Sequence, residues 1–344
     1  MTPLRLIFMG TPPLAATVLE ALLAEKNFAV VAVVTQPDQP RGRDLKLQPS
    51  AVKELALKKN LPLLQPARAR AEVFIAQIRE LAPELIVVAA YGQILPQALL
   101  DVPKFGCLNV HTSLLPKYRG AAPIQWAILN GDAETGVTLM RMDAGLDTGA
   151  IVSAERTPIA ADDNAQTLHD RLAQLGGALL LRMIPDYVAG KIAPHPQPAE
   201  GASYARKIKK EDGRLDWSQP ARVLWNRVRG LTPWPGTFTF LQTAAAPVLL
   251  KVWRAEVAER GQPCPRDPHE MEPMAPRSAD EHADSAVRAP STAGEIISAT
   301  RDGLLVACGE GALRILELQR EGGKRLGTAQ FLAGHPLRAG ERLA

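Results

Sequence analysis

The chain has 344 residues, of which 46% are hydrophobic and 22% are charged, with a formal net charge of +4. These are the proportions of an ordinary globular protein, and at roughly 100–200 residues per domain the length predicts about two domains. No apolar run is long enough to cross a bilayer, which excludes an integral membrane protein, and the composition excludes a collagen-like fibre and a wholly disordered chain.

The first half of the chain alternates strand and helix patterns. Apolar runs of strand length alternate with segments in which apolar residues recur at helical spacing. The predicted strands are 4–9, 28–34, 61–64, 85–90, 106–110, 137–142 and 150–157, and the predicted helices are 14–23, 50–59, 71–81, 122–129 and 164–188. This alternation favours a Rossmann-like α/β domain with a parallel sheet covered on both faces. Such a sheet binds ligands beyond the carboxyl ends of its strands.

The second half has a different pattern, which predicts a second domain. Residues 190–207 begin with a proline-rich run and are predicted to form a linker between domains 1–189 and 208–344. Residues 256–293 contain six prolines and no aromatic residue, which predicts a disordered insertion in a hairpin. One helix and several short strands predict a small β-barrel, at 220–228 and at 237–241, 248–256, 294–299, 303–308 and 312–319.

Charge is distributed unevenly between the two halves. Residues 1–202 carry 19 basic and 19 acidic side chains, whereas residues 203–344 carry 21 and 17. Without 256–293, the second part carries 17 basic and 9 acidic side chains. A neutral domain joined to a basic one indicates a small-molecule site beside a surface that holds a polyanion, although a solvated basic face is the alternative.

The cysteines give no sign of a disulfide framework or a structural metal. Cys107, Cys264 and Cys308 are far apart, and no cysteine and histidine cluster has zinc spacing. The first apolar run is too short for a signal peptide. We therefore expect a protein of the reducing cytoplasm with no metal.

One histidine occupies a position suited to chemistry. Among the six histidines, only His111 lies at the carboxyl end of an apolar strand, and strand alternation places Asn109 on the same face. An imidazole transfers protons near neutral pH, and an amide donates to a developing oxyanion. Hydrogen bonding that merely ends the strand is the alternative interpretation.

An acidic loop provides a possible partner for this histidine. Residues 143–149 are a glycine-flanked loop between two predicted strands. A carboxylate there could orient the His111 imidazole and stabilise its cationic form. For Asp143 the pattern favours a turn-forming role. Asp147 becomes the candidate only through the resemblance described next.

These segments resemble the formyltransferases that use 10-formyltetrahydrofolate. The resemblance rests on Asn109-x-His111, on residues 113–124 and on residues 146–149. Further motifs resemble the members of that family that act on methionyl-tRNA, namely FMGTP at 8–12, TQPD at 35–38, SYARKIKKED at 203–212, LDW at 215–217 and PWPG at 233–236. The resemblance covers nearly the whole chain except 256–293.

The resemblance implies transfer of the formyl group of 10-formyltetrahydrofolate to the α-amino group of methionyl-initiator tRNA. The transition state of this acyl transfer places negative charge on the formyl oxygen and positive charge on the attacking nitrogen. Asn109 is then expected to donate to the formyl oxygen, and His111 to stabilise the intermediate and move protons. Asp147 is expected to support His111, and no metal takes part.

The resemblance also implies binding residues and partners. Contacts to folate are expected from two loops, through Ser113, Leu114, Leu115 and Pro116 and through Tyr91, Gly92 and Gln93. Ordinary loop packing is the alternative for the leucines. Contacts to tRNA are expected from the 36–49 loop and from the start of a second domain that resembles an OB-like barrel, through Arg41, Arg43 and Lys46 and through Lys207, Lys209 and Lys210. The protein is expected to be monomeric, with initiator tRNA and folate as partners and no membrane association.

Other functions fit parts of the sequence. A related formyltransferase acting on a sugar-nucleotide or purine-precursor amine, or a formyl-folate hydrolase, would retain Asn109, His111 and Asp147 but need no basic barrel. A nucleic-acid-binding protein with an inactive first domain would not need those three residues. A nucleotide-binding oxidoreductase is disfavoured because residues 9–13 lack the G-x-G-x-x-G pattern.

Overall fold

The computed structural model describes residues 2–41, 46–258 and 292–344, which form two compact units, Met1–Ile208 and Lys209–Ala344. Arg43 and nearly all of the predicted insertion lie outside the described residues, as do the side chains of Arg41 and Lys46. None of the helices in the described ranges combines the length and the apolar character needed to span a bilayer.

A seven-stranded sheet forms the centre of the first unit, and two short strand pairs lie outside it. In chain order the strands are β1 (Leu4–Gly10), β2 (Phe28–Val34), β3 (Gln39–Arg41), β4 (Lys46–Gln48), β5 (Leu63–Leu64), β6 (Leu85–Ala89), β7 (Cys107–His111), β8 (Arg119–Gly120), β9 (Glu134–Arg141), β10 (Ile151–Pro158) and β11 (Tyr204–Ala205). The sheet order is β10-β9-β7-β6-β1-β2-β5, while β3 pairs with β4 and β8 with β11.

Helices cover both faces of this sheet. They are α1 (Pro13–Ala24), α2 (Ala51–Lys58), α3 (Glu72–Glu80), α4 (Gln97–Leu100), α5 (Pro123–Leu129) and α6 (Ala165–Val188). Because side chains alternate along a strand, Leu6 and Phe8 of β1 pack with α1 and α6, whereas Ile7 and Met9 pack with α3 and α4. Burial on both faces explains the continuous apolar runs in the sequence and confirms the predicted α/β class.

The predicted parallel sheet is confirmed at its centre, and one edge of the sheet is antiparallel. The five strands β7, β6, β1, β2 and β5 are parallel, but β9 runs antiparallel to β7, and β10 runs antiparallel to β9. For the β9 and β10 pair, the physical reason is the short connection between the two strands. Residues 142–150 join β9 to β10 directly, without the crossover helix that a parallel pair requires.

The second unit is an antiparallel β domain with a short 3-10 helix, Lys210–Gly213, before its first strand. Its other elements are α7 (Ala221–Gly230), β12 (Thr237–Leu241), β13 (Val248–Ala258), β14 (Ile296–Thr300), β15 (Gly303–Ala307), β16 (Ala312–Arg320), β17 (Leu326–Gly327) and α8 (Thr328–Gly334). The strand order is β12-β13-β16-β15-β14, and β17 pairs with β16. The predicted separate β domain is therefore confirmed.

Residues 341–344 join the two edges of this sheet. On one side, the backbone N–H of Ala344 donates to the Phe240 carbonyl at 2.8 Å, beside β12. On the other side, the N–H of Leu343 donates to the Gly294 carbonyl at 2.8 Å, next to β14. The Leu343 side chain is buried in the core of the unit. The sheet is thus closed into a barrel by a segment whose sequence has no strand pattern.

Candidate active site

Strand β7 carries Asn109 and His111 on one face at its carboxyl end. Both are buried, with 8% and 6% of their surface exposed. Asn109 lies opposite Met140 of β9, and His111 lies opposite Thr138. Among the described residues no group hydrogen-bonds to the Asn109 side-chain amide. A buried amide without a protein partner is free to bind a ligand.

The two ring nitrogens of His111 have different surroundings. Nε2 lies 2.9 Å from the carbonyl oxygen of Tyr118. A carbonyl only accepts hydrogen bonds, so Nε2 carries the proton in the neutral ring and Nδ1 presents a lone pair. Nδ1 faces Oδ1 of Asp147 at 3.8 Å, beyond hydrogen-bonding distance. Neutral His111 is therefore arranged to accept a proton at Nδ1 beside a carboxylate.

Asp147 reaches His111 because its loop folds back over the sheet. The loop leaves β9 where the N–H of Met142 donates to the Cys107 carbonyl, at the amino end of β7. Five residues later, Asp147 lies beside the carboxyl end of the same strand. Its φ of +52° is an uncommon value that aspartate tolerates, and its Oδ2 accepts the N–H of Gly120 at 2.8 Å. The acidic loop thus brings the Asp147 carboxylate beside His111 by a route that strand order alone did not indicate.

Tyr118, which sequence reasoning did not single out, holds the other side of His111. Its φ of +62° is strained for a bulky residue, so the surroundings must hold it. Its N–H donates to Oγ of Ser203 at 2.9 Å, and its hydroxyl accepts from Nδ2 of Asn130 at 2.8 Å. Burial raises the pKa of the Tyr118 hydroxyl, which keeps this side chain neutral. The only sequence signal was its place in the predicted folate loop.

The predicted folate loop is held by one contact of its own and by contacts with the edge of the sheet. Oγ of Ser113 donates to the Lys117 carbonyl at 2.7 Å, and the N–H of Leu115 donates to Oγ1 of Thr138 at 3.0 Å. Leu115 packs in a buried cluster with Met140 and Ile151 of the sheet edge. These contacts favour the loop-packing alternative for Leu115. The sequence pointed to Thr138 only as a polar residue inside an apolar strand.

Two cavities border this region. The larger, about 450 Å³, is lined by Leu114, Leu115 and Pro116 together with Lys117, Tyr118, Asp132, Ala133, Glu134, Thr135, Arg156 and Gly201. None of Asn109, His111 and Asp147 lines it. The smaller, about 120 Å³, is lined by Gln93, Ile94, Leu95, Met140, Met142 and residues 143–147. Asp147 lines the smaller cavity and also faces His111.

The second predicted folate loop borders the smaller cavity, but its polar atoms are largely occupied. The Tyr91 carbonyl accepts from Oγ1 of Thr11 at 3.0 Å and from Nε2 of Gln36 at 2.9 Å. Oε1 of Gln93 accepts the N–H of Ala69 at 2.8 Å. Gly92, with φ +85°, packs against the Gln36 amide, where any Cβ would collide. The hydroxyl of Tyr91 is buried without a partner in the described residues, and burial raises its pKa to about 12.

The predicted tRNA-contacting residues lie in two places. Lys207, Lys209 and Lys210 are exposed, on either side of the buried Ile208. Arg41 and Lys46 form a backbone pair in the β3–β4 hairpin, where a loop without strands was expected. The base of this hairpin is held by Asp38, which accepts from Nζ of Lys53 at 2.7 Å and from Nε2 of Gln65 at 3.0 Å. These hydrogen bonds lower the pKa of Asp38.

Neither buried cysteine in the described residues is suited to act as a nucleophile. Burial raises the pKa of the Cys107 thiol to about 12 and that of Cys308 to about 11. A thiol with such a pKa stays protonated near neutral pH. Within the described ranges no cluster of histidine, cysteine and acidic residues is arranged to hold a metal ion. Asp147 lines the smaller cavity, whereas Asn109 and His111 are not among its lining residues.

Comparison with known proteins identifies relatives over the whole chain. The model "Formyl transferase" matches residues 4–184, and "Formyl transferase, C-terminal domain" matches residues 207–336. The methionyl-tRNA formyltransferase of Citrifermentans bemidjiense is 48% identical over 340 residues, 99% of this chain and 96% of the relative. That of Geobacter sulfurreducens is 47% identical over 344 residues, 100% of this chain and 98% of the relative.

A solved structure shares the fold at much lower identity. The N-formyltransferase of Helicobacter canadensis, in complex with folinic acid and dTDP-3-aminofucose, has a TM-score of 0.59 and 17% identity over 91% of this chain and 98% of that one. At this identity the likeness speaks for the fold alone. The specific assignment comes from the full-length relatives, which confirm the resemblance found in the sequence. The chain belongs to the formyltransferase family, and within it to the methionyl-tRNA formyltransferases.

Proposed function

We propose that the protein transfers the formyl group of 10-formyltetrahydrofolate to the α-amino group of methionyl-initiator tRNA. The observation that carries the proposal is the group at the end of β7. An unpartnered buried amide, Asn109, shares a strand face with an imidazole, His111, whose free nitrogen faces the carboxylate of Asp147 at 3.8 Å. Relatives nearly half identical to the chain carry this activity in their names.

Each of the three residues has a distinct task in this reaction. As the amine attacks the formyl carbon, negative charge develops on the formyl oxygen, and the fixed N–H₂ of Asn109 is suited to donate to it. Nδ1 of His111 is suited to accept the proton that the attacking nitrogen must lose, because Nε2 is fixed as a donor by Tyr118. The nearby Asp147 carboxylate would stabilise the resulting imidazolium. The imidazolium can then return the proton to N10 of the folate as the bond between N10 and the formyl carbon breaks, which releases tetrahydrofolate.

The 120 Å³ cavity is the proposed position of the folate ring system. Ile94 and Leu146 both line it and are 78% and 51% exposed, which leaves apolar surface for a flat ring to cover. Ligand pockets usually measure roughly 300–1,000 Å³, so this cavity is suited to one end of the donor. Backbone groups of Gly92 and the 143–147 loop would supply its polar contacts.

Basic surface supports tRNA as the carrier of the amine. We propose that Lys207, Lys209 and Lys210 contact phosphates, since all three are exposed. The hairpin that contains Arg41 and Lys46 would provide a second contact. Oligonucleotide-binding barrels suit such a substrate, and the second unit is a closed antiparallel barrel. We further propose that the enzyme acts as a monomer.

The test is an acceptor comparison with the purified full-length chain and 10-formyltetrahydrofolate. The acceptors are methionyl-initiator tRNA, free methionine and a dTDP-linked amino sugar, and the product is measured by mass spectrometry. We expect formylation of methionyl-tRNA only. Faster formylation of the amino sugar, or release of formate without transfer, would overturn the proposal in favour of another branch of the family.

A further inference from the structure

Part of the predicted linker is built into the active site. The bridge between Ile151 and His195 is a double one, with N–O distances of 2.8 and 2.9 Å, and places the proline-rich segment beside β10. Two residues later, Gln197 lies between two prolines with its side chain partly buried. The segment is therefore a fixed part of the first unit.

The Gln197 amide uses all of its hydrogen-bonding capacity. Nε2 donates to the carbonyl of Asp147 at 2.8 Å and to the carbonyl of Gly149 at 2.9 Å. Oε1 accepts from Nε and Nη2 of Arg119 at 3.0 and 2.7 Å. The guanidinium can only donate and the two carbonyls can only accept, so one orientation of the amide satisfies all four.

These four hydrogen bonds connect the loop that carries Asp147 with the segment that contacts His111. On one side, Gln197 holds the backbone of Asp147 at its positive φ. On the other side, it holds Arg119, which lies between Tyr118, the partner of His111, and Gly120, the partner of the Asp147 carboxylate. No other described side chain bonds to both segments. Gln197 thus adds a second connection between the two segments, beside the direct bond from the Gly120 N–H to the Asp147 carboxylate.

We infer that Gln197 is a positioning residue that sets the geometry of His111 and Asp147 during formyl transfer. The inference rests on the proposed function. Glutamate at this position would keep the bond to Arg119 but lose both donors, and its charged oxygen would face two carbonyls. Glutamate has the same length as glutamine but lacks the two N–H donors. The Gln197→Glu substitution therefore distinguishes positioning of the loop from simple packing.

The kinetic test is a double-mutant cycle between Gln197→Glu and Asp147→Ala. In the wild-type background we expect Gln197→Glu to lower kcat by up to about a hundredfold, the scale of a misplaced catalytic group, with little change in KM for methionyl-tRNA. In the Asp147→Ala background, Gln197→Glu should lower kcat by less than about threefold, because the carboxylate that Gln197 positions is already absent. Glu200→Ala, an exposed change in the same segment, serves as the control.

A second measurement does not depend on activity. The Gly120 N–H donates to Asp147, so its hydrogen exchange should become at least about tenfold faster in Gln197→Glu and stay unchanged in Glu200→Ala. If Gln197→Glu lowers the melting temperature, Arg119→Lys replaces it in both measurements, since it loses the forked contact but keeps the charge. The inference is overturned if hydrogen exchange at Gly120 is unchanged in Gln197→Glu. It is also overturned if Gln197→Glu lowers kcat equally in the wild-type and Asp147→Ala backgrounds. An inactive wild type overturns the proposed function instead, and the exchange result still decides the role of Gln197.

Discussion

At the scale of single residues, the site depends on which nitrogen of one imidazole is free. The Tyr118 carbonyl fixes a proton on Nε2 of His111, and this leaves Nδ1 as the acceptor. The 3.8 Å gap to Asp147 is too long for a hydrogen bond. In the proposed reaction, the carboxylate would stabilise the imidazolium that forms after proton transfer.

Replacing His111 with alanine removes that acceptor. We expect His111→Ala to lower the rate of methionyl-tRNA formylation by at least about a hundredfold, the scale of general acid–base catalysis. His169→Ala is the matched control, since His169 lies on α6 and pairs with Asp170. Single-turnover kinetics with both variants would check the expectation. Near-normal turnover by His111→Ala would contradict the assignment.

At the scale of secondary structure, the start of α6 shows how one element is held. The side chain of Asn164 caps the helix by accepting the N–H groups of Gln166 and Thr167. The neighbouring Asp163 accepts from Ala160, Thr167 and Arg171. Burial alone would raise the pKa of Asp163, but these hydrogen bonds outweigh it and lower the pKa. The ionised form therefore stabilises the fold.

This shift gives a pH-dependent prediction. A carboxyl whose pKa is lower in the folded state contributes its stability above its unfolded pKa, and loses it as the pH falls through the folded value. At pH 7 we expect Asp163→Asn to lower the free energy of unfolding by about 2 kcal/mol. The difference from wild type should shrink below about pH 4. Urea unfolding at several pH values checks this, with the exposed Asp162→Asn as control. If the difference in unfolding free energy between wild type and Asp163→Asn did not change with pH, the prediction would be wrong.

The closing segment of the barrel gives a second prediction for an element. Leu343 is 2% exposed and fixes residues 341–344 to the core of the second unit. We expect Leu343→Ala to lower the unfolding free energy of this unit by about 2–5 kcal/mol, the usual effect of truncating a buried leucine. Leu57→Ala, at a leucine that is 58% exposed, should change stability by less than about 0.5 kcal/mol. Calorimetry of both variants measures these changes. Equal losses of unfolding free energy would show that residues 341–344 contribute little to the stability of the second unit.

At the scale of the whole molecule, the two substrates are proposed to bind to surfaces that differ in charge. Folate is proposed to bind in the smaller cavity of the first unit, whose walls are mostly apolar or backbone. The tRNA is proposed to meet exposed lysines around residues 207–210 and a basic second half. The two binding equilibria should therefore respond differently to ionic strength, because only phosphate contacts release counterions.

We expect the affinity for methionyl-tRNA to fall steeply between 50 and 200 mM salt, by about tenfold or more, while folate affinity changes little. Fluorescence titrations of the full chain with each substrate measure both. Lys207→Gln and Lys210→Gln should each reduce the salt slope for tRNA. A salt-independent tRNA affinity would contradict the proposed interface.

The sequence predicted what depends on local pattern. Continuous apolar runs gave the central strands, and the Asn109-x-His111 spacing placed both side chains on one face. It did not predict the antiparallel β9 or the path of Asp147, since both depend on contacts between distant segments. The same holds for Gln197, whose proline neighbours indicated a linker. Side-chain bonds to carbonyls some fifty residues away leave no trace in local periodicity.

The boundary of the first unit determines how much of the chain a separate catalytic fragment must contain. A fragment cut after Val188, where α6 ends, would retain every strand of the large sheet and fold around its own core. It would nevertheless lack Gln197, Ser203 and β11, so Asp147 and Tyr118 would lose their anchors. Such a truncation would yield a well-folded but poorly reactive protein, and an excised catalytic half needs the chain through at least residue 205.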